Sequence, residues 1–174
     1  MQSKRTEKAL DLVLADALRT SVPFAAWFLA QTRFGNRSAE CVFVRANNPW
    51  SSVFMQHPHA HTGIPAQRKF DCETDVLAVF ATVEGRRLGI HIENKLAGGS
   101  FTELQPQLYG ARVEQWKGRD KLGNYDEGTT VLVAPLSFLQ RHAAQASAFD
   151  TQVSHEAIAR ELPSPAFVGA AGSP

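Results

Sequence analysis

Glu73-Thr-Asp75-Val-Leu-Ala-Val-Phe80, followed by Leu88-Gly-Ile-His-Ile-Glu93-Asn-Lys95, reads as two apolar strands joined by the polar turn Val83-Glu-Gly-Arg-Arg87. Each strand carries charge where a core strand should have none: Asp75 opens the first, and Glu93 and Lys95 close the second. An unpaired charge in such a place costs several kcal/mol or neutralises by shifting its pKa. Alternate side chains share a strand face, so Leu88, Ile90 and Ile92 point one way and His91, Glu93 and Lys95 the other. An antiparallel hairpin brings Asp75 to the end of the second strand. Two carboxylates meeting there repel, which favours a hard cation with oxygen ligands, Mg²⁺ or Mn²⁺. An ammonium beside them can orient a water and balance phosphate charge. The same three groups can also form an ion-paired cluster at a sheet end without chemistry.

Asp75, Glu93-Asn-Lys95 and the downstream Gln105-Pro-Gln-Leu-Tyr109 together resemble the PD-(D/E)XK nuclease superfamily, with the Gln-x-x-x-Tyr element of its RecB-like members. The match covers roughly residues 70 to 120, and Thr74 stands where that family often has proline. The resemblance implies a restriction-endonuclease-like α/β (α+β) core, a mixed central sheet flanked by helices. It implies catalytic Asp75, Glu93, Lys95, Gln105 and Tyr109. It implies Mg²⁺ or Mn²⁺ held by Asp75, Glu93 and the backbone carbonyl of Asn94, and a nucleic-acid substrate, DNA first. The expected activity is a metal-dependent deoxyribonuclease. The alternative is an inactive nuclease-fold module for nucleic-acid binding or protein assembly. Cutting both strands of a duplex would favour a homodimer.

Around this centre, residues 4 to 19 show helical apolar spacing with Asp11 assigned to the polar side. Ser21 and Pro23 read as the start of a second helix. Residues 40–45 read as a strand, and 46–69, rich in Asn, Pro, Gly and His, as a long loop. Thr102 and Gln105 suggest a capping box for a helix reaching about Lys117. In it Gln105, Tyr109, Arg112 and Trp116 form a stripe expected to face the cleft, while Leu104, Leu108 and Ala111 pack on the sheet. Residues 129–135 read as a third core strand, and 137–148 and 154–162 as helices. A single domain over 1–162 with a flexible tail, 163–174, is expected.

Several residues carry two readings. His57, His59 and His61 alternate as zinc ligands would, or are solvated loop residues. Arg112, Trp116 and Lys117 are expected to touch substrate, with Arg119 and Lys121 extending the basic run; Trp116 and Trp50 stack on bases or pack in the core. His91 either touches the site or is a satisfied core histidine. Glu73 is a further carboxylate or an exposed strand end, and Glu7 or Asp11 a helper acid or a solvated helix residue.

The chain has 174 residues, 44% of them hydrophobic, and a net charge of +1. That suits one domain with a real core and argues against uniform coating of nucleic acid, though not against a local basic rim. Cys41 and Cys72 make neither a disulfide framework nor a four-ligand zinc site. Read as free thiols, and with no apolar secretory signal at the N-terminus, they predict the cytoplasm. The apolar run 22–30 is far shorter than the ~20 residues of a membrane span.

Overall fold

The computed structural model describes residues 6–58 and 65–171. Strands β4 (Val76–Thr82) and β5 (Arg87–Asn94) form the antiparallel hairpin at the centre, with Val76 opposite Ile92. β1 (Ala39–Arg45) adds antiparallel to β4. β6 (Glu127–Ala134) and β7 (Thr151–Ser154) add in parallel beyond β5, giving the order β1-β4-β5-β6-β7. The protein is therefore mixed α/β, a five-stranded mixed sheet flanked by helices.

Helices α1 (Glu7–Thr20), α2 (Val22–Ala30), α6 (His155–Glu161) and α7 (Pro165–Ala171) supply one layer. Leu10, Leu14, Phe24, Phe28, Ile158 and Phe167 bury there against Leu88, Ile90, Ile92 and Val131. Thr6 caps α1 by accepting from the Ala9 N–H, and Ser21 caps α2 from the Phe24 N–H, with Pro23 in its first turn. Among the described residues no single helix is long and apolar enough to cross a membrane. The apolar pair α1 and α2 bends by 107° at Ser21 and spends its apolar faces on the core.

The opposite layer is α3 (Gln105–Gln115). Here Tyr125 lies flat on the neighbouring pair Gly89 and Gly128: a Cβ at Gly89 would come 2.5 Å from the ring. These glycines clear the space in which the Tyr125 hydroxyl reaches His91.

Four expectations need correction. The described part of the stretch expected as a long loop, 46–69, is mostly strand: β2 (Trp50–Pro58) and β3 (Pro65–Glu73) pair along their whole length as a two-stranded ribbon. Their alternation is one-sided, with Val53, Phe70 and Cys72 turned to α3, and the interspersed Pro, His and Asn hide it. The Gln115 side-chain amide completes the seating, accepting from the Phe54 N–H at 2.8 Å and donating to the Phe54 carbonyl at 2.7 Å, as a neighbouring strand would. The helix expected over 137–148 breaks at His142 into α4 (Leu136–Arg141) and α5 (Ala143–Ala146). The four-residue β7 is too short for periodicity to reveal. Finally, the tail expected over 163–174 is helical over Pro165–Ala171 as α7, whose Phe167 is fully buried against the His155 ring, and residues 172–174 lie outside the described residues.

Candidate active site

The antiparallel register that pairs Val76 with Ile92 carries Asp75 to the level of Glu93. β5 alternates, so Glu93 and Lys95 project toward α3 while Asn94 projects toward α1. Glu93 is 2% exposed and Lys95 7%, and the Lys95 Nζ lies 2.7 Å from Glu93 Oε1. Gln105 donates its Nε2–H to the same oxygen at 2.6 Å. The Tyr109 hydroxyl donates to Glu93 Oε2 and receives a 3.4 Å contact from the Asp75 N–H. Asp75 Oδ2 accepts from the Asn94 N–H at 2.8 Å. The five residues expected to be catalytic thus meet at one end of the sheet. Lys95 also sits 5.7 Å from the Phe101 ring centroid, which closes the site on that side.

Burial is the first cause of the site's electrostatics. Burial, then the charges of Glu93 and Asp11, push the Asp75 carboxyl up to about 9 against the pull of the Asn94 N–H and Lys95. Burial alone would lower the Lys95 ammonium. The charge and hydrogen bond of Glu93, joined by Glu7 and Asp75, more than offset it and hold Lys95 above its ordinary value. Burial and the nearby Glu93 and Asp75 charges hold the Tyr109 phenol protonated, with its pKa well above the usual range. It is therefore a fixed donor.

The helical reading places Asp11 on the polar side of α1. It is 2% exposed instead, and its Oδ1 accepts from the Asn94 Nδ2–H at 3.0 Å. Burial raises its carboxyl to about 6. The sequence carried the signal: Asp11 lies next to Leu10 and three before Leu14, on the buried stripe. Glu7, one turn earlier, accepts from the Leu96 N–H at 3.3 Å. Helix α1 thus delivers acids to the back of β5's last residues. The Asn94 Oδ1 is buried with no hydrogen-bond partner among the described residues.

Other expected residues fall elsewhere. Of the stripe expected to face the cleft, Gln105 and Tyr109 do reach the site at Glu93, whereas Arg112 and Trp116 are buried, and Leu108 and Ala111 pack in the cluster that the β2–β3 ribbon covers. Arg112 and Trp116, expected to touch substrate, are buried, at 2% and 0% exposure. The Arg112 guanidinium stacks 3.5 Å from the Tyr109 ring centroid, and its Nη1 has no hydrogen-bond partner among the described residues. The ribbon provides the cover that the sequence reading lacked. Lys117 stays near the surface, paired with Glu114 at 2.6 Å. Glu73 is an exposed strand end opposite Trp50.

His91 is a core histidine. Tyr125 donates its hydroxyl hydrogen to the Val113 carbonyl, so His91 donates from Nε2 to Tyr125 at 2.8 Å and accepts at Nδ1 from Thr74 at 3.1 Å. Burial pulls its pKa down to about 3, and it stays neutral. His59 and His61 lie outside the described residues, as does the His57 side chain, so the zinc reading falls there. Cys41 and Cys72 are free, and burial raises both thiols.

Among the described residues no group of three or more His, Cys, Asp and Glu is arranged to hold a metal ion. The sheet end offers two carboxylates, Asp75 and Glu93, and the Glu93 oxygens are bonded by Lys95, Gln105 and Tyr109. Asp75 and Glu93 are hard oxygen donors, and an Asp75 carboxyl held protonated by burial first, then by the charges of Glu93 and Asp11, is in a state that a divalent cation would relieve. Mg²⁺ habitually takes one or two carboxylates and fills its octahedron with water and substrate phosphate. No protein-family model matches the chain, and no curated protein or solved structure matches it. The functional reading therefore rests on the residues and their geometry.

Proposed function

We propose that this protein is a Mg²⁺- or Mn²⁺-dependent nuclease acting on DNA, with the restriction-endonuclease-like core and catalytic set of the PD-(D/E)XK superfamily. One observation carries the reading. Lys95, Gln105 and Tyr109 all bond the Glu93 carboxylate, and Asp75 joins them at the same end of the mixed sheet through its backbone N–H to the Tyr109 hydroxyl, while its own carboxylate accepts from the Asn94 N–H.

Asp75 and Glu93 would hold the cation, with the Asn94 backbone carbonyl as the third protein donor that the resemblance implies. When bound, the cation supplies Lewis acidity at the scissile phosphate. The chain's own residues do the rest. Lys95, fixed by Glu93 and held cationic, stands ready to orient the attacking water and to neutralise charge developing on the phosphate. Gln105 and Tyr109 fix both Glu93 oxygens, which sets the carboxylate's orientation before substrate arrives. Asp11 and Glu7 hold the backbone and side chain of residues 94–96 from behind. The cytoplasm, where thiols stay reduced and nucleic acid is present, is the compartment this reading favours.

A second reading, an inactive nuclease-fold module, is favoured by one feature: protein donors already occupy both Glu93 oxygens. Incubation of the purified protein with plasmid, single-stranded DNA and RNA, with and without Mg²⁺, separates the two. Mg²⁺-dependent cleavage supports the enzyme, and binding without cleavage in any metal supports the module.

A further inference from the structure

A cleft opens where β1 ends, at the end of the sheet that carries Asp75. It encloses about 580 Å³ and is lined by Arg45, Trp50, Ser51, Arg119, Lys121 and Leu122, with Asp120 as its single carboxylate. Register fixes its place. Arg45 stands opposite Leu77, two residues after Asp75, and Trp50 stands opposite Glu73, two residues before it. The cleft therefore lies where β1 ends and the ribbon begins, on strands that bracket the catalytic aspartate.

Its side chains are unusual for a surface without a partner. Trp50 is 68% exposed, although a tryptophan normally buries most of its area. None of the three cations is ion-paired among the described residues. Arg45 donates to the Lys121 carbonyl at 3.2 Å and Arg119 donates to the Ser51 hydroxyl, so both guanidiniums are held in place by neutral groups. The Lys121 ammonium makes no ion pair among the described residues. In a chain whose net charge is only +1, three unpaired cations beside an exposed indole are a local concentration of positive charge.

We propose that this cleft is a subsite for single-stranded polynucleotide, with an unpaired base stacked on Trp50 and flanking phosphates held by Arg45, Arg119 and Lys121. Stacking on an exposed aromatic beside a positive groove is how sequence-tolerant single-strand binding works. A duplex presents phosphates but no free base face, so the indole selects single strands, frayed ends or flaps. The subsite rests on the nucleic-acid reading of the active site, and it lets the strand continue from the cleft toward Asp75. It also replaces the buried Trp116 and Arg112 as the substrate-contacting surface.

The test is binding in EDTA, which separates the subsite from catalysis. A labelled oligothymidylate is titrated by anisotropy against wild type, Trp50→Ala, Lys121→Ala and Glu93→Ala, with a duplex and an RNA of matched length as parallel arms. Trp50→Ala is expected to weaken single-strand binding about tenfold and duplex binding little. Lys121→Ala is expected to lower the slope of log affinity against log salt by about one phosphate's worth. RNA binding equal to DNA binding leaves the subsite standing and broadens the substrate. Wild type that binds no single strand, a Trp50→Ala variant with wild-type affinity, or equal losses on single strand and duplex would each overturn it. If the two cleft variants weaken binding while no substrate is cleaved in Mg²⁺, the catalytic reading fails and the subsite survives.

Discussion

Replacing Asp75 by Asn removes the charge that the fold tolerates least and keeps the shape that accepts the Asn94 N–H. In the metal-free protein the Asp75 carboxyl titrates near 9, against 3.8 when exposed. A pKa raised on folding favours the native state only while the proton stays on. Its full contribution is present below the unfolded value, shrinks as pH rises through the window from about 4 to 9, and is gone above it. At pH 7 the wild type has lost about three pH units of that contribution, roughly 4 kcal/mol as an upper bound at 1.36 kcal/mol per unit. Coupling to Glu93 and relaxation of the site reduce it, so about 2–3 kcal/mol is the expected gain for Asp75→Asn. In a chain this size that is on the order of 5–10 °C in Tm. The assay is thermal unfolding from pH 5 to 9, in EDTA and in excess Mn²⁺. In EDTA the variant should melt above wild type, with the gap widening as pH rises. Mn²⁺ should raise the Tm of wild type only. A variant that melts below wild type in EDTA at pH 8, or one stabilised equally by Mn²⁺, would refute the reasoning.

Gly89→Ala places a methyl inside the Tyr125 ring and should cost about 1–3 kcal/mol by denaturant unfolding; a neutral result would mean that the ring does not rest on the strand. Phe167→Ala should cost about 3–5 kcal/mol if α7 is part of the core, and an unchanged midpoint would leave it a loose tail. Tyr109→Phe strips Glu93 Oε2 of its donor, for a stability loss of about 1–3 kcal/mol in EDTA together with slower cleavage, and a loss of neither would remove Tyr109 from the site.

The hairpin and the site triad were legible because burial and charge conflict there: few arrangements reconcile Asp75, Glu93 and Lys95 with apolar strands. The ribbon was not legible. Val53 and Phe70 bury only because α3 lies beneath them, a long-range contact that no local window contains. The same contact inverted the assignment of Arg112 and Trp116, which looked like cleft residues until something covered them. The capping box was half visible. Gln105 does accept from the Thr102 N–H at 3.2 Å, but Leu104, at φ 63°, is the residue that starts the helix, and the Gln105 amide turns its Nε2 to Glu93. Asp11 carries two readings, helper acid or solvated residue, and the stripe spacing of α1 favours the buried one, since charge alone does not mark a solvated face.

Cleavage kinetics of wild type, Glu93→Ala and Lys95→Ala on DNA in Mg²⁺, with circular dichroism to confirm the fold, test the central claim most directly. The account predicts Mg²⁺-dependent cleavage by wild type and a loss of about a thousandfold or more in each variant. Wild-type rates in either folded variant would contradict it.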